Sequence, residues 1–268
     1  MVIHLRFIFI SIVAFVAGVT FFAASAQEQA EFSELRVLIE INSTDGDVGF
    51  HTLIDGDGWE EVTIRDPEGE KIYTVKGFGS VDEQGLTENF FESAEPSCDE
   101  VPLAEFLDRF PAGEYVFSGK TGEGGQLEGQ AVLTHDLPRA PVNLAPTGDG
   151  IDAGNPVTIS WTEGSDLGNC PPGGATIGEP ELFGYQIVVE REDPEPVVVF
   201  SAELPPDATG VTIPPEFLFA DAIYKYEVIA IEQQGDEETE ITKGNQTISE
   251  DFFCTFVETP EDPCELPE

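Results

Sequence analysis

Val157-Thr158-Ile159-Ser160-Trp161 alternates apolar and polar residues with a period of two. That period marks a strand with one buried face, and Trp161 gives the face a large anchor. A second stretch repeats the pattern: Tyr224, Tyr226, Val228 and Ala230 are separated by Lys225, Glu227 and Ile229, with Leu218 six residues upstream. Between and after them lie Tyr185 to Glu190, Val197 to Ala202, Gly210 to Ile213 and Gln246 to Phe256. Together they make about seven short strands with turn residues between them, the pattern of an antiparallel β-sandwich.

The pattern extends towards the N-terminus. Leu35 to Ile41, Val48 to Ile54, Glu61 to Arg65 and Lys71 to Lys76 read as strands. Asp45-Gly46, Asp55-Gly56, Asp57-Gly58 and Asp66-Pro67 read as the turns between them. Pro102 to Phe110 differs. Leu103, Phe106, Leu107 and Phe110 recur at helical spacing, and Pro111 ends the run. Glu114 to Lys120 and Gln126 to His135 pair as a hairpin across the glycine-rich 121–125. The reading is all-β: two β-sandwich domains, the first with a short helix.

Pro141-Val142-Asn143-Leu144 and the strand ending in Trp161 resemble strands A and B of a fibronectin type III domain. Leu218 followed by Tyr224-x-Tyr226-x-Val228-x-Ala230 is similar to that family's strand F, with Tyr224 as its tyrosine-corner residue. Phe219-Ala220-Asp221 stands where the family has Pro-Gly, and the B–C loop, Thr162 to Leu182, is long. The resemblance implies that Trp161, Leu218 and Tyr224 are structural core. The segments Thr44-Asp45-Gly46-Asp47, Phe90 to Pro96 and Gly244 to Thr247 also resemble secreted bacterial proteins described only as fibronectin type III domain-containing. That group implies an architecture more than an activity.

The expected organisation is a signal peptide at 1–26, a β-sandwich domain at 27–137 and a proline-rich linker at 138–146 that includes the start of strand A. A type III-like domain at 141–257 and an acidic tail at 258–268 complete it. Arg6, the apolar run Phe7 to Phe22 and Ala24-Ser25-Ala26 carry the signal reading, with no membrane span after its removal. The expected location is secreted, extracellular or periplasmic. There are 53 acidic against 11 basic residues, a net charge of −42. That balance opposes nucleic-acid binding, which needs Lys and Arg on phosphates.

Four cysteines in an exported chain point to two disulfides, with three connectivities open. In a type III sandwich the B–C loop lies at the pole facing the preceding domain. The resemblance therefore implies Cys98–Cys170 as a clasp between domains and Cys254–Cys264 as the second bridge.

There is no Gly-x-Ser-x-Gly and no His-Glu-x-x-His. His51 and His135 each sit in a strand, where a lone histidine is more often structural than catalytic. Acid pairs such as Glu60-Glu61 are unavoidable in so acidic a chain. The reading is non-enzymatic.

The metal candidates are Asp45, Asp47, Asp55 and Asp57, with Ca2+ as the cofactor that acidic turns suit. They do not form an EF-hand: counting from Asp55, the sixth position is Glu60 and the twelfth Asp66. Roughly seven residues at ~3.3 Å separate the two turns, and turn chemistry alone also accounts for Asp-Gly. Asn42-Ser43-Thr44 and Asn245-Gln246-Thr247 are glycosylation sequons. The expected function is an interaction module presenting loops, Thr162 to Leu182 and Gln233 to Asn245, to an extracellular protein or glycan. The acidic F–G loop favours a basic or cation-bridged partner. The alternative is a structural component of a matrix, surface layer or filament.

Overall fold

The computed structural model describes residues 31–122, 124–235 and 240–256. The signal segment, the acidic tail and Cys264 lie outside the described residues.

Fifteen strands and two short helices follow one another among these residues. β1 (Phe32–Asn42) and β2 (Asp47–Trp59) form a long hairpin, and β5 (Leu86–Glu92) pairs with β2. β3 (Glu61–Arg65), β4 (Lys71–Lys76), β6 (Gly113–Lys120) and β7 (Gln126–Leu133) make a second layer in the order β4-β3-β6-β7. Alternate residues of both layers meet inside. Val37, Ile39, Ile41, Val48, Phe50 and Ile54 face Val62, Ile64, Tyr115, Phe117 and Leu127. Helix α2 (Leu103–Arg109) inserts Leu103, Phe106 and Leu107 into this core, and Phe110 just beyond it stacks on Phe50 at 4.3 Å. Helix α1 (Ser80–Gln84) buries nothing.

The second half has β8 (Pro141–Ala145), β10 (Val157–Glu163) and β13 (Gly210–Ile213) in one sheet, ordered β13-β10-β8. Opposite lie β12 (Val198–Leu204), β11 (Leu182–Asp193), β14 (Ala222–Gln234) and β15 (Thr242–Phe256), in that order. This is the three-against-four arrangement of a fibronectin type III, immunoglobulin-like fold. β9 (Gly148–Asp152) leaves the first sheet and runs parallel to β15. Trp161 packs on Tyr185 at 5.2 Å, and Tyr224 stacks on Phe253 at 5.0 Å. The Tyr224 hydroxyl accepts from Phe219 N–H at 2.8 Å, and Leu218 is buried in the same core.

The two halves share one sheet. β15 pairs in parallel with β1, in the register Glu40↔Gln246, Ile41↔Thr247 and Asn42↔Ile248. Seven strands therefore run in one sheet from β12 through β15 and β1 to β5, and β9, paired with β15 off this path, is the eighth. Where the cores part, the inward residues of β15 become polar. Asn245, fully buried, accepts from Ile39 N–H at 2.8 Å and donates to Thr134 O and Asp136 O. The Thr247 hydroxyl donates to Pro138 O at 2.7 Å, and Ser249 meets Ser43 at 2.6 Å.

One expectation needs correction, and two other segments gain a structural setting. Asp55-Gly56 and Asp57-Gly58 are not turns. They continue β2, with irregular pairing between Asp55 and Trp59 that absorbs the glycines as a bulge. Most of the B–C loop is exposed, but it is anchored at two points. Leu167 and Cys170 are buried in the first sandwich's core, and Asn169 N–H donates to Ser43 O at 2.9 Å. The sequon asparagine Asn245 has no accessible amide, because three acceptors at the seam hold it.

Candidate functional site

The outer face of the shared sheet carries a convergence of ligating side chains. On β1, Glu40 follows Ile39 and so points away from the core. His51 on β2 is opposite Leu38, which makes it a diagonal neighbour of Glu40 across the pair. Glu92 of β5 lies directly opposite His51. Beyond β5 the chain runs along β2 through Ser93 N–H to Phe50 O and Val48 N–H to Pro96 O, and Glu95 folds over Gly49 between them. A Cβ at residue 49 would sit 2.6 Å from Glu95 Oε1 and 2.9 Å from His51 Nε2, so only glycine leaves room for this approach.

The ligand atoms of Glu40, His51 and Glu95 lie within 4.8 Å of one another. His51 Nε2 is 3.4 Å from Glu95 Oε1 and 4.0 Å from Glu40 Oε1. The histidine side chain is 5 % exposed and meets the edge of Phe90 at 5.6 Å. Burial and the neighbouring Glu95, Glu227, Glu92 and Asp47 push the Glu40 carboxyl up to about 8. Burial, then Glu95 and Asp45, push Asp47 up to about 6. Burial also raises Glu95 and Glu227 and lowers His51. Lys225 bonds Glu250 at 2.6 Å and Glu227 at 3.4 Å.

A pH dependence follows. A carboxyl whose folded pKa lies above its unfolded value binds more protons folded than unfolded, so stability falls as pH rises between the two values. For Glu40 that window runs from 4.5 to about 8. His51 acts oppositely, since its lowered pKa costs stability below its ordinary 6.5 and nothing above it. Above that pH only the acids still titrate. In chelator-treated buffer the unfolding free energy is expected to fall by about 1–2 kcal/mol between pH 6.5 and 8. Denaturant melts at the two pH values measure it. Glu40→Gln should flatten the change, and an unchanged slope in that variant would refute the assignment.

A second feature is a groove of about 700 Å³ where the halves meet. Phe32, Leu35 and Ala131 give it apolar walls, and Glu31, Glu34, Glu114, Glu128 and Glu240 line it with acid. Gln234, Gly235 and Thr242 contribute the base of the F–G hairpin.

Of the calcium candidates, Asp45 lies in the turn before β2, where it accepts from Asn42 Nδ2 at 3.3 Å, and Asp47 begins that strand. Asp57 accepts from Glu31 N–H at 3.3 Å near the strand's other end. Eight residues of strand, roughly 26 Å, separate Asp47 from Asp55, so the four aspartates do not converge. Cys98 and Cys170 form a disulfide with their Cα atoms 5.3 Å apart. Cys254 is buried and is not a free thiol. Sequence reasoning singled out His51 but missed Glu40 and Glu95. Strand phase places Glu40 and His51 on the face opposite Ile39, Ile41 and Phe50, but so many carboxylates share such faces that it singles out neither Glu40 nor Glu95.

No family model and no curated protein matches the chain. Among solved structures it is similar to the chicken CNTN1 FN1-FN3 domains, at 12% identity and a TM-score of 0.34 over 85% of this chain and 65% of that one. A cytokine receptor complex matches at 14% identity and a TM-score of 0.27, over 84% of this chain and 98% of that one. The BSP domain of a biofilm associated protein matches at 13% and 0.23, over 85% of this chain and 30% of that one. The chain thus spans less than two thirds of the length of the first of these. The fold assignment rests on the strand order above. No helix among the described residues is long and apolar enough to cross a membrane.

Proposed function

We propose that this protein is a secreted, non-enzymatic recognition module that holds a basic protein segment in the acidic groove between its two sandwiches. The observation that carries this is the groove itself. Five glutamates line it beside Phe32, Leu35 and Ala131, with one side from β1 and the F–G hairpin of the shared sheet and the other from β6 and β7. Lys and Arg side chains bring an apolar stem and a cationic head, which suits such a lining. The groove takes in the base of the F–G hairpin, one of the two loops the sequence singled out. The disulfide fits an oxidising compartment.

Calorimetric titration with a lysine-rich peptide tests the reading. Exposed charge pairs contribute ~0.2–1 kcal/mol each, so joint Gln substitution of Glu34, Glu114, Glu128 and Glu240 should weaken binding roughly ten-fold. Gln at Glu68, Glu70, Glu88 and Glu100 removes the same charge elsewhere and should leave affinity nearly unchanged. Equal losses in both variants would reduce the groove to bulk acidity and overturn the proposal. Ca2+ added to the same titration reads the calcium expectation at Asp45 and Asp47: tighter binding supports a cation bridge, and no change removes it. The alternative, a structural component, is favoured by the exposed Val197, Val198 and Val199 at the β12 edge. Concentration-dependent assembly in size-exclusion chromatography, without peptide, would support it instead.

A further inference from the structure

Glu40, His51 and Glu95 come from β1, β2 and the segment after β5, yet their ligand atoms meet within 4.8 Å. None of the contacts among them is a good hydrogen bond. At 3.4 Å and 4.0 Å the histidine–carboxylate separations exceed the usual 2.7–3.2 Å range. The shorter one matches ligands sharing an ion. A tetrahedral site with bonds of ~2.1 Å has ligand–ligand edges of ~3.4 Å. The separation to Glu95 has that value already, and the one to Glu40 would have to close by about 0.6 Å.

Burial of its histidine separates this cluster from the acidic groups scattered over the surface. The His51 side chain is 95 % buried by the complement of its 5 % exposure, wedged against Phe90 with Nε2 turned towards the two carboxylates. Among the described residues, the ion pairs of Glu40 and Glu95 are with this histidine and with no Lys or Arg. Gly49 clears the space above the sheet in which the three groups meet. The segment carrying Glu95 is fixed at both ends, by the β2–β5 ladder and, three residues on, by the Cys98–Cys170 disulfide. Glu95 is 32 % exposed, so the cluster opens to solvent on one side.

The geometry points to a site for a divalent first-row transition metal at Glu40, His51 and Glu95, with Zn2+ as the probe. An imidazole nitrogen among the donors selects this class over Ca2+ and Mg2+, which take oxygen ligands. Three protein ligands leave a fourth position for water or for a donor from outside. The metal would tie β1, β2 and the segment after β5 together on the face of the shared sheet. The site shares no lining residue with the acidic groove, so its fate is independent of the recognition reading.

The test is equilibrium titration of the full chain with Zn2+ and Co2+, at ~0.3 M salt so that diffuse attraction to the acidic surface is screened. One saturable site is expected, with the strong visible absorption of four-coordinate Co2+ and a raised melting temperature. His51→Gln and Glu95→Gln should each weaken binding about ten-fold or more, the loss seen even for outer partners of metal sites. Asp55→Asn with Asp57→Asn should leave it unchanged. Gly49→Ala removes no ligand but displaces Glu95, and should also weaken binding, which keeps the test standing if His51→Gln misfolds. Unsaturable binding, or equal affinity in wild type and the Glu95→Gln and Gly49→Ala variants, would overturn the proposal.

Discussion

Asn245→Ala is expected to lower the unfolding free energy by about 3 kcal/mol, because each buried polar group left unpaired costs about 1–3 kcal/mol. Asn245 is fully buried and joins three parts of the chain. Its Oδ1 accepts from Ile39 N–H on β1, and its Nδ2 donates to Thr134 Oγ1 at 2.8 Å and to the carbonyls of Thr134 and Asp136. Its own N–H donates to Glu232 Oε2 at 2.8 Å. Alanine keeps that last bond and strands the rest at the seam. Chemical denaturation measures the loss, and a change below ~1 kcal/mol would show that water replaces the amide. Asn245→Asp should be worse at neutral pH. It sets a carboxylate beside buried Glu232, whose own pKa burial already raises. Part of that loss should return as pH falls.

The second large effect is expected at the clasp. Joint Cys98→Ala and Cys170→Ala substitution opens a loop with a sequence separation of 72 residues. Chain entropy for a loop of that length gives a stabilisation of about 4 kcal/mol. The two cysteines sit in the first sandwich's core beside Leu167, so the double variant also loosens the B–C loop's plug. Denaturant unfolding of the double variant against wild type reads the difference, and a loss under ~1 kcal/mol would mean that the shared sheet alone holds the halves. The same variant frees the segment carrying Glu95 at one end, so a metal bound there should bind more weakly.

The elements were largely legible because strands are written locally. β3 and β4 lie at the residues their alternation marks, and α2 falls where Leu103, Phe106 and Leu107 recur at helical spacing. The errors came where local chemistry has two outcomes. Asp-Gly serves a hairpin turn at Asp45-Gly46, but at Asp55 to Gly58 it serves a bulged strand, because β1 and β5 continue to pair on both sides. β9 was missed because Gly148 to Asp152 has no apolar alternation and is held by parallel pairing with β15.

The site was less legible than the fold. His51 was visible as a lone histidine, which ordinarily means packing. Glu95 is 44 residues away and reaches it only because the chain doubles back along β2 over Gly49. Among so many carboxylates, nothing in the sequence distinguishes Glu40 and Glu95 from their solvated neighbours.

By itself the sequence determined the all-β class, the Trp161 and Tyr224 cores and the strong net acidity. Those follow from period-two patterning and composition, which act over a few residues or over the whole chain at once. Only the tertiary structure decided that Val157 and its neighbouring strands belong to a sandwich that shares a sheet with the first. The parallel register of Ile41 with Thr247 joins positions about 200 residues apart. No local pattern encodes such a pairing. It arises because the hydrogen-bonding edges of β1 and β15 would otherwise be left unpaired, and Asn245, Thr247 and Ser249 supply the polar contacts that fit the seam.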